Sequence, residues 1–384
     1  MQVRFARLVR LLERKYQGLA PAALAAGVPF ALRAAGGPAH RFGGDTPAFT
    51  LVVNDARGVS ALSTLDLAAI TDAYLDGSLD LEGDVMRATA LRDMFGDRHP
   101  LHFAWRFVRP LLFGQHRSDA RWIAGHYDLD ADFFLSFLDT RHRCYSQAVF
   151  AHDDEPLEDA VTRKLDIALE AVGAKPGDRV LDIGSGWGAF VEHAGRRGVH
   201  VTSLTISEAS ERFVNALIER EGLPCRVLRE HFMAHASEAP YDAIVNLGVT
   251  EHLPDYRGTI ARYAALLRPG GRVYLDASAA RRKHAHSSFM ANVFEGNGSL
   301  LCLHEYLAEV ARSPFRLRGV WDDRHNYYLT TRAWAEQLDR ARQILERRWG
   351  QRTYRTFQLY LWGSAEGFRR GMIDAYRVVL ELPA

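Results

Sequence analysis

A doubly wound α/β sheet with a smaller α+β unit ahead of it is the fold class that the sequence predicts, on three observations. Between residues 179 and 276, short apolar runs alternate with stretches of helical periodicity, the pattern of βα units wound onto a parallel sheet. The first run, Val180-Leu181-Asp182-Ile183, is cut off by glycines at alternate positions, Gly184, Gly186 and Gly188, and Ala189 to Ala194 then read as a helix. The chain is 384 residues long, more than one typical domain.

Taken in order, Arg4 to Lys15 is a basic amphipathic helix, with Phe5, Leu8, Val9, Leu11 and Leu12 at helical spacing beside Arg4, Arg7, Arg10, Arg14 and Lys15. Such a segment can rest on anionic lipid, and an ordinary surface helix docked on its own domain shows the same pattern. Strand-like alternation from Ala48 to Val53 and the stretch Ala73 to Asp84 complete a small α+β unit. Phe103 to Phe113 is rich in aromatics and reads as core or as an apolar surface for an acyl chain. The hinge-like Gly114 to Ala120 puts a boundary near residue 119, dividing the chain into residues 1–118 and 119–384.

In the second part, Val199 to Leu204 is a second strand, and the helix after it opens at Ser207 as N-cap, with Glu208 suited to the positive helix end. Arg226 to Arg229 is a third strand; Ala243 to Leu247 is an apolar run typical of a strand buried on both faces. Glu251 and His252 follow at its carboxyl end, where ligands gather in an open α/β sheet, so Glu251 is a candidate for chemistry. A helix from Tyr256 to Leu267, a turn at Arg268 to Gly271 and a strand from Arg272 to Asp276 complete the alternation, and Thr331 to Trp349 and Phe357 to Val379 read as covering helices. The glycine turn suits a nucleoside cofactor, because alternate glycines admit a ligand where a Cβ would collide. The dinucleotide fingerprint spaces its second and third glycines by three, whereas Gly186 and Gly188 are two apart.

Composition narrows the classes further. The formal charge of +1 leaves no nucleic-acid footprint. Cys144, Cys225 and Cys302 are far apart, without metal-ligand spacing, so no metal is expected and a reduced, cytosolic compartment is. No apolar run reaches the length of a spanning helix, which leaves peripheral attachment to a bilayer open.

Asp182 followed by Gly184, Gly186 and Gly188 resembles motif I of the class I S-adenosylmethionine methyltransferases. Over residues 120 to 335 the chain resembles the cyclopropane fatty acid synthase family. The matching strings are His126-Tyr127-Asp128-Leu129 with Asp132-Phe133-Phe134, Tyr145-Ser146, the glycine segment, Leu204-Thr205-Ile206-Ser207, Glu251-His252, and His325-Asn326 ahead of Trp334. Asp76-Gly77 and Glu82-Gly83-Asp84 resemble that family's N-terminal lipid-associated domain.

The resemblance implies a class I methyltransferase Rossmann-like sheet and S-adenosylmethionine as cofactor. Its site would be Tyr127, Tyr145, Ser146, Asp182, Gly184, Gly186, Gly188, Thr205, Ser207 and His231, with Ser210 where the family often has Gln. It also implies transfer of a one-carbon unit to the cis double bond of an unsaturated acyl chain in phospholipid, through a carbocation that loses a proton to close a cyclopropane. Such chemistry needs a dry site and aromatic faces, for which Tyr145, Phe150, Phe289, Phe294, Tyr327 and Tyr328 are candidates, as they are for plain core. The family's base is commonly a bicarbonate held by a cysteine, a glutamate, a histidine and a tyrosine. Gln147 stands at the cysteine position, Glu251 matches, Asp276 replaces the histidine, and Tyr327 or Tyr328 supplies the tyrosine. A carboxylate at Asp276 would repel bicarbonate, so a direct proton acceptor, Asp276 or Glu251, is expected instead. Methyl- or methylene-branched products, and a lipid-binding protein with a vestigial cofactor site, stay open. Expected partners are an unsaturated acyl phospholipid and the inner face of a membrane, met peripherally, with a homodimer left open. Arg281, Arg282 and Lys283 form a basic loop, either solvated or facing a head group.

Overall fold

The fold is that of a computed structural model, which describes residues 2–21, 23, 25–95, 131–282 and 299–384. Tyr127, the aromatic stretch 103–113, the hinge, Phe289, Phe294 and most of the basic loop lie outside the described residues. Two units divide the chain. Of the described residues, 2–95 and 338–366 belong to the first, and 131–282, 299–337 and 367–384 to the second.

The first unit holds a four-stranded sheet in the order β2-β1-β3-β4, made of β1 (Phe30–Ala34), β2 (Ala39–Phe42), β3 (Phe49–Val53) and β4 (Leu79–Gly83). β1 and β3 run parallel and the outer pairs antiparallel. Phe30 stacks on Phe42 at 4.4 Å and on Phe49 at 5.6 Å. The helix Gln2–Gln17 buries Leu8, Val9 and Leu12 in the same core. That leaves Arg4, Arg7, Arg10, Arg14 and Lys15 exposed, as the amphipathic pattern requires. Asp55 and Asp66 cap the helices Ala56–Thr64 and Leu67–Leu75 by accepting from backbone N–H groups. Arg355, its side chain 3% exposed, donates to the carbonyls of Tyr74 and Leu79 and pairs with Asp80.

The second unit is built on a seven-stranded sheet in the order β10-β11-β9-β8-β5-β6-β7. Its strands are β5 (Arg179–Ile183), β6 (His200–Thr205), β7 (Arg226–Arg229), β8 (Tyr241–Leu247), β9 (Leu267–Ala279), β10 (Arg316–Asp322) and β11 (Asp374–Glu381). β5 to β9 pair in parallel, and β11 runs antiparallel between β9 and β10. The winding direction reverses between β5 and β8, so a crevice opens outside their carboxyl ends. Leu181, Ile183, Ile244, Val273 and Leu275 form the buried layer beneath it.

Two expectations are corrected here. Phe357 to Val379 is not one helix: the helix Gln351–Arg369 stops, Gly371 takes φ +67°, and Asp374–Glu381 enters the sheet. The β-branched pair Val378 and Val379 suits a strand covered by neighbours on both sides. Arg268 to Gly271 lies inside β9, where the pairing register with β8 shifts between Tyr241 and Ala243. Among the described residues no helix is long and apolar enough to cross a membrane.

Arg355→Ala leaves two carbonyls and Asp80 without their donor, so it is expected to cost roughly 3 kcal/mol, measurable as a lower denaturant midpoint at unchanged slope.

Candidate active site

The crevice is lined by the ends of β5, β6 and β8 and by the segment Arg143 to Ser146. Asp182 ends β5 with its side chain buried; Ser203 Oγ donates to its Oδ2 at 2.5 Å, and Oδ1 has no partner among the described residues. Burial lifts its carboxyl to about 7, against the pull of Ser203 and Lys164. A carboxylate so placed, with one bare oxygen facing a crevice, suits a cationic or N–H-bearing ligand.

The loop after β5 is tied down by Gly184 and Ser185, whose N–H groups both donate to Leu204 O, at 3.0 and 2.8 Å. Gly184 (φ +95°) could not carry a Cβ, which would stand 2.3 Å from Val249 Cγ2. At Gly186 (φ +49°) a Cβ would meet nothing within 4 Å, so this glycine opens space on a crevice wall. Gly188 leads into the helix Ala189–Gly195. Across the crevice, Thr205 Oγ1 accepts from Ser207 N at 3.1 Å, and Ser207 caps the helix Glu208–Glu221 by accepting from Ser210 N at 3.3 Å. Both hydroxyls keep their own O–H for a ligand. Ser210 spends its hydroxyl on Gly186 O, at 2.6 Å, and so braces the loop. His231 lines the far end beside Phe232, its Nδ1 accepting from Met233 N at 3.1 Å.

Tyr145 and Ser146 line the near side. The Tyr145 ring packs 5.3 Å from both Phe134 and Trp334, an aromatic wall. Ser146 Oγ accepts from Lys164 Nζ at 2.6 Å.

Glu251 stands in the turn after β8, between the crevice-lining Val249 and His252. The residue is half-buried; Oε1 accepts from Ser278 N and Ser278 Oγ, both at 2.7 Å, while Oε2 is sealed from solvent without a partner among the described residues. Burial raises its pKa to about 7; the Ser278 bonds oppose this, and Asp276 nearby adds to it. Burial alone holds His252 down near 4, so its imidazole is neutral at physiological pH.

Glu251 itself is not among the residues that line this crevice, and neither are the other members of the expected acid–base set, which are held elsewhere. Asp276, on β9, is 1% exposed and forms an ion pair at 3.3 Å with Lys164. Burial pushes its carboxyl up, and the Lys164 ammonium opposes that. Gln147 donates to Asp323 Oδ2 at 2.7 Å, and Arg377 Nε donates to the same oxygen at 2.5 Å. Arg377 is the cross-strand neighbour of Asp276, so the two altered positions belong to adjoining buried charge pairs. Tyr327 stacks on Phe368 at 4.5 Å, and Tyr328 lies under Arg332 at 5.5 Å.

Lys164, Ser278, Asp323 and Arg377 are absent from the sequence-derived candidates. For Lys164 a signal existed: it interrupts the face formed by Leu157, Ala160, Val161, Leu165, Ala168 and Leu169, on which every other position is apolar.

Comparison with known proteins adds the following. The family described as mycolic acid cyclopropane synthetase matches residues 114–378. Cyclopropane mycolic acid synthase 3 of Mycobacterium tuberculosis is 31% identical over 281 residues, 67% of this chain and 96% of that one. A probable fatty acid methyltransferase of Pseudomonas putida is 25% identical over 355 residues, 88% of this chain and 89% of that one. The chain spans only 65–66% of the length of two other curated relatives it matches. The solved mycolic acid cyclopropane synthase CmaA1 complexed with SAH and CTAB superposes with a TM-score of 0.64 at 27% identity, covering 68% of this chain and 98% of that one.

In carboxyl-labelled protein, NMR is expected to show a glutamate titrating at about 7, and Glu251→Gln should remove that signal.

Proposed function

We propose, for a chain that belongs to the mycolic acid cyclopropane synthetase family, that it adds a one-carbon unit to the cis double bond of an unsaturated acyl chain on phospholipid, closing a cyclopropane. It is an S-adenosylmethionine-dependent methyltransferase of that family. The residues present fit that cofactor: Asp182 offers a bare carboxylate oxygen, Gly186 leaves open space, and Thr205 and Ser207 keep hydroxyl hydrogens to donate. Tyr145, Ser146, Gly184, Gly188 and His231 would hold it with them; when bound, it supplies an electrophilic methyl group.

The observation that carries the reading is Glu251. Alkylation of an alkene leaves a cation that must lose a proton inside a site closed to water. The acceptor must be ionised near neutrality and aimed at the crevice side of the sheet. Glu251 meets the first condition and stands between the crevice-lining Val249 and His252, with one oxygen anchored by Ser278 and the other without a partner among the described residues. Asp276 has Lys164 as countercharge and the Gln147 amide N–H donates to Asp323, which speaks against an added bicarbonate beside them. Tyr145 and its aromatic neighbours present ring faces that stabilise a cation without trapping it. The exposed arginines of the helix Gln2–Gln17 support a substrate met at an anionic membrane surface.

A branched product is the second reading, favoured by the similarity over most of both chains to a probable fatty acid methyltransferase.

Expression in bacteria lacking their own cyclopropane synthase, fed methyl-labelled methionine, should give phospholipid acyl chains carrying one labelled CH₂ unit and upfield ring protons. An exocyclic methylene or a methyl branch would instead establish the second reading, and unlabelled lipid would reject both. Glu251→Gln is expected to lower kcat by about 10²–10⁴-fold while binding S-adenosylhomocysteine normally. Because the base works ionised, wild-type kcat should rise with pH through about 7 and level off above it, unaffected by added bicarbonate.

A further inference from the structure

A lysine inside a protein needs a reason, because its ammonium gives up strong hydration. Lys164 is buried at 0% exposure on the helix Leu157–Val172, among Ala160, Val161, Leu165 and Ala168. Its ammonium has three partners from two other elements, two hydrogen-bond acceptors and one ion-pair carboxylate. Ser146 Oγ lies at 2.6 Å and Cys144 Sγ at 3.3 Å, both on the crevice wall, and Asp276 Oδ2 lies at 3.3 Å on β9. Burial works against its charge, and Asp276 and Cys144 outweigh burial, so it stays an ammonium.

We propose that Lys164 is a positioning residue of the transfer reaction, its ammonium tying the cofactor-side wall, through Ser146, to the carboxylate of Asp276 beside Glu251. The assignment of Glu251 as proton acceptor comes from the reading above. The tie to Ser146 stands apart from it.

Stability alone does not account for the pair. Apolar residues of similar volume usually replace a buried ion pair without loss, and here the site would need only a leucine and a methionine. The ammonium instead spends one of its donors on a crevice hydroxyl, so Ser146 accepts from Lys164 and its own hydrogen points away from the ammonium. On the other side, the Lys164 ammonium opposes the rise that burial imposes on the Asp276 carboxyl. The groups that face this cluster are Asp182 on β5, Asp276 on β9, Asp323 at the end of β10, Arg377 on β11 and Cys144. Of these, Asp276 acts on Glu251, whose other neighbours are Ser278 and Tyr256. Without Lys164 the Asp276 carboxyl would rise further, and its repulsion of ionised Glu251 would weaken.

The test uses the full chain and S-adenosylhomocysteine as probe, read by calorimetry without lipid. Lys164→Met is expected to weaken its binding by about tenfold or more. In a cycle with Ser146→Ala the two losses should overlap rather than add. Where turnover on lipid is measurable, the acid limb of the kcat profile should move to lower pH in Lys164→Met and in Asp276→Asn alike. Wild-type affinity in folded Lys164→Met, or full additivity with Ser146→Ala, overturns the proposal. Should the single variant fail to fold, Lys164→Met combined with Asp276→Leu removes both charges together and carries the same binding readout. Wild-type affinity in that pair overturns the proposal as well. A chain that binds S-adenosylhomocysteine through Lys164 yet labels no lipid would end the lipid reading and leave this one standing.

Discussion

Desolvation of carboxylates is the constraint to which the second unit answers. Asp182, Glu251, Asp276 and Asp323 all carry carboxyl oxygens shut off from water, and burial raises the pKa of each. Two of them are given a fixed cation: Lys164 for Asp276 and Arg377 for Asp323. The other two are given only neutral donors, Ser203 and Ser278, and both are left poised at about 7. That unequal provision divides the labour. The paired carboxylates are held by fixed cations, and the other two are each anchored through one oxygen by a serine.

The fold follows from the same need. A charge inside a sheet can be matched only by an element that the topology brings alongside it. Asp276 lies on β9 between β8 and β11, so its countercharge has to come from a strand neighbour or from the helix packed across that strand. The helix Leu157–Val172 delivers Lys164, and β11 delivers Arg377 to Asp323.

What could be read from the sequence was local. Strand, glycine turn and helix around Asp182 were legible because three glycines and an apolar run lie within ten residues, and Ser207 was legible as a cap because a serine precedes a helical pattern. The strand Asp374–Glu381 was not, since Phe357 to Arg369 sets a helical period that hides the change after Gly371. Nor could the sequence name the partners of Gln147 and Asp276. Gln147 meets Asp323 from 176 residues away, and a lone lysine on an amphipathic helix ordinarily marks the edge of its wet face. The positions of the candidate cofactor residues follow the sequence pattern closely; the charge balance that decides which carboxyl is free to act depends on contacts distant in the chain.

β11 pairs on both sides, with β9 and with β10, both earlier in the chain, and β10 has no other strand partner among the described residues. Translation delivers the chain in one direction, so β5 to β9 can assemble while β10 still has nowhere to dock. Until residues 374–381 emerge, Asp323 has no guanidinium and β9 has an open edge beside Asp276. The nascent protein therefore holds a nearly complete crevice in which Asp276 already has Lys164 and Asp323 still lacks its cation. Insertion of that one strand joins β10 to the sheet and brings Asp323 its countercharge together, so this edge of the sheet and this buried charge pair form in a single event.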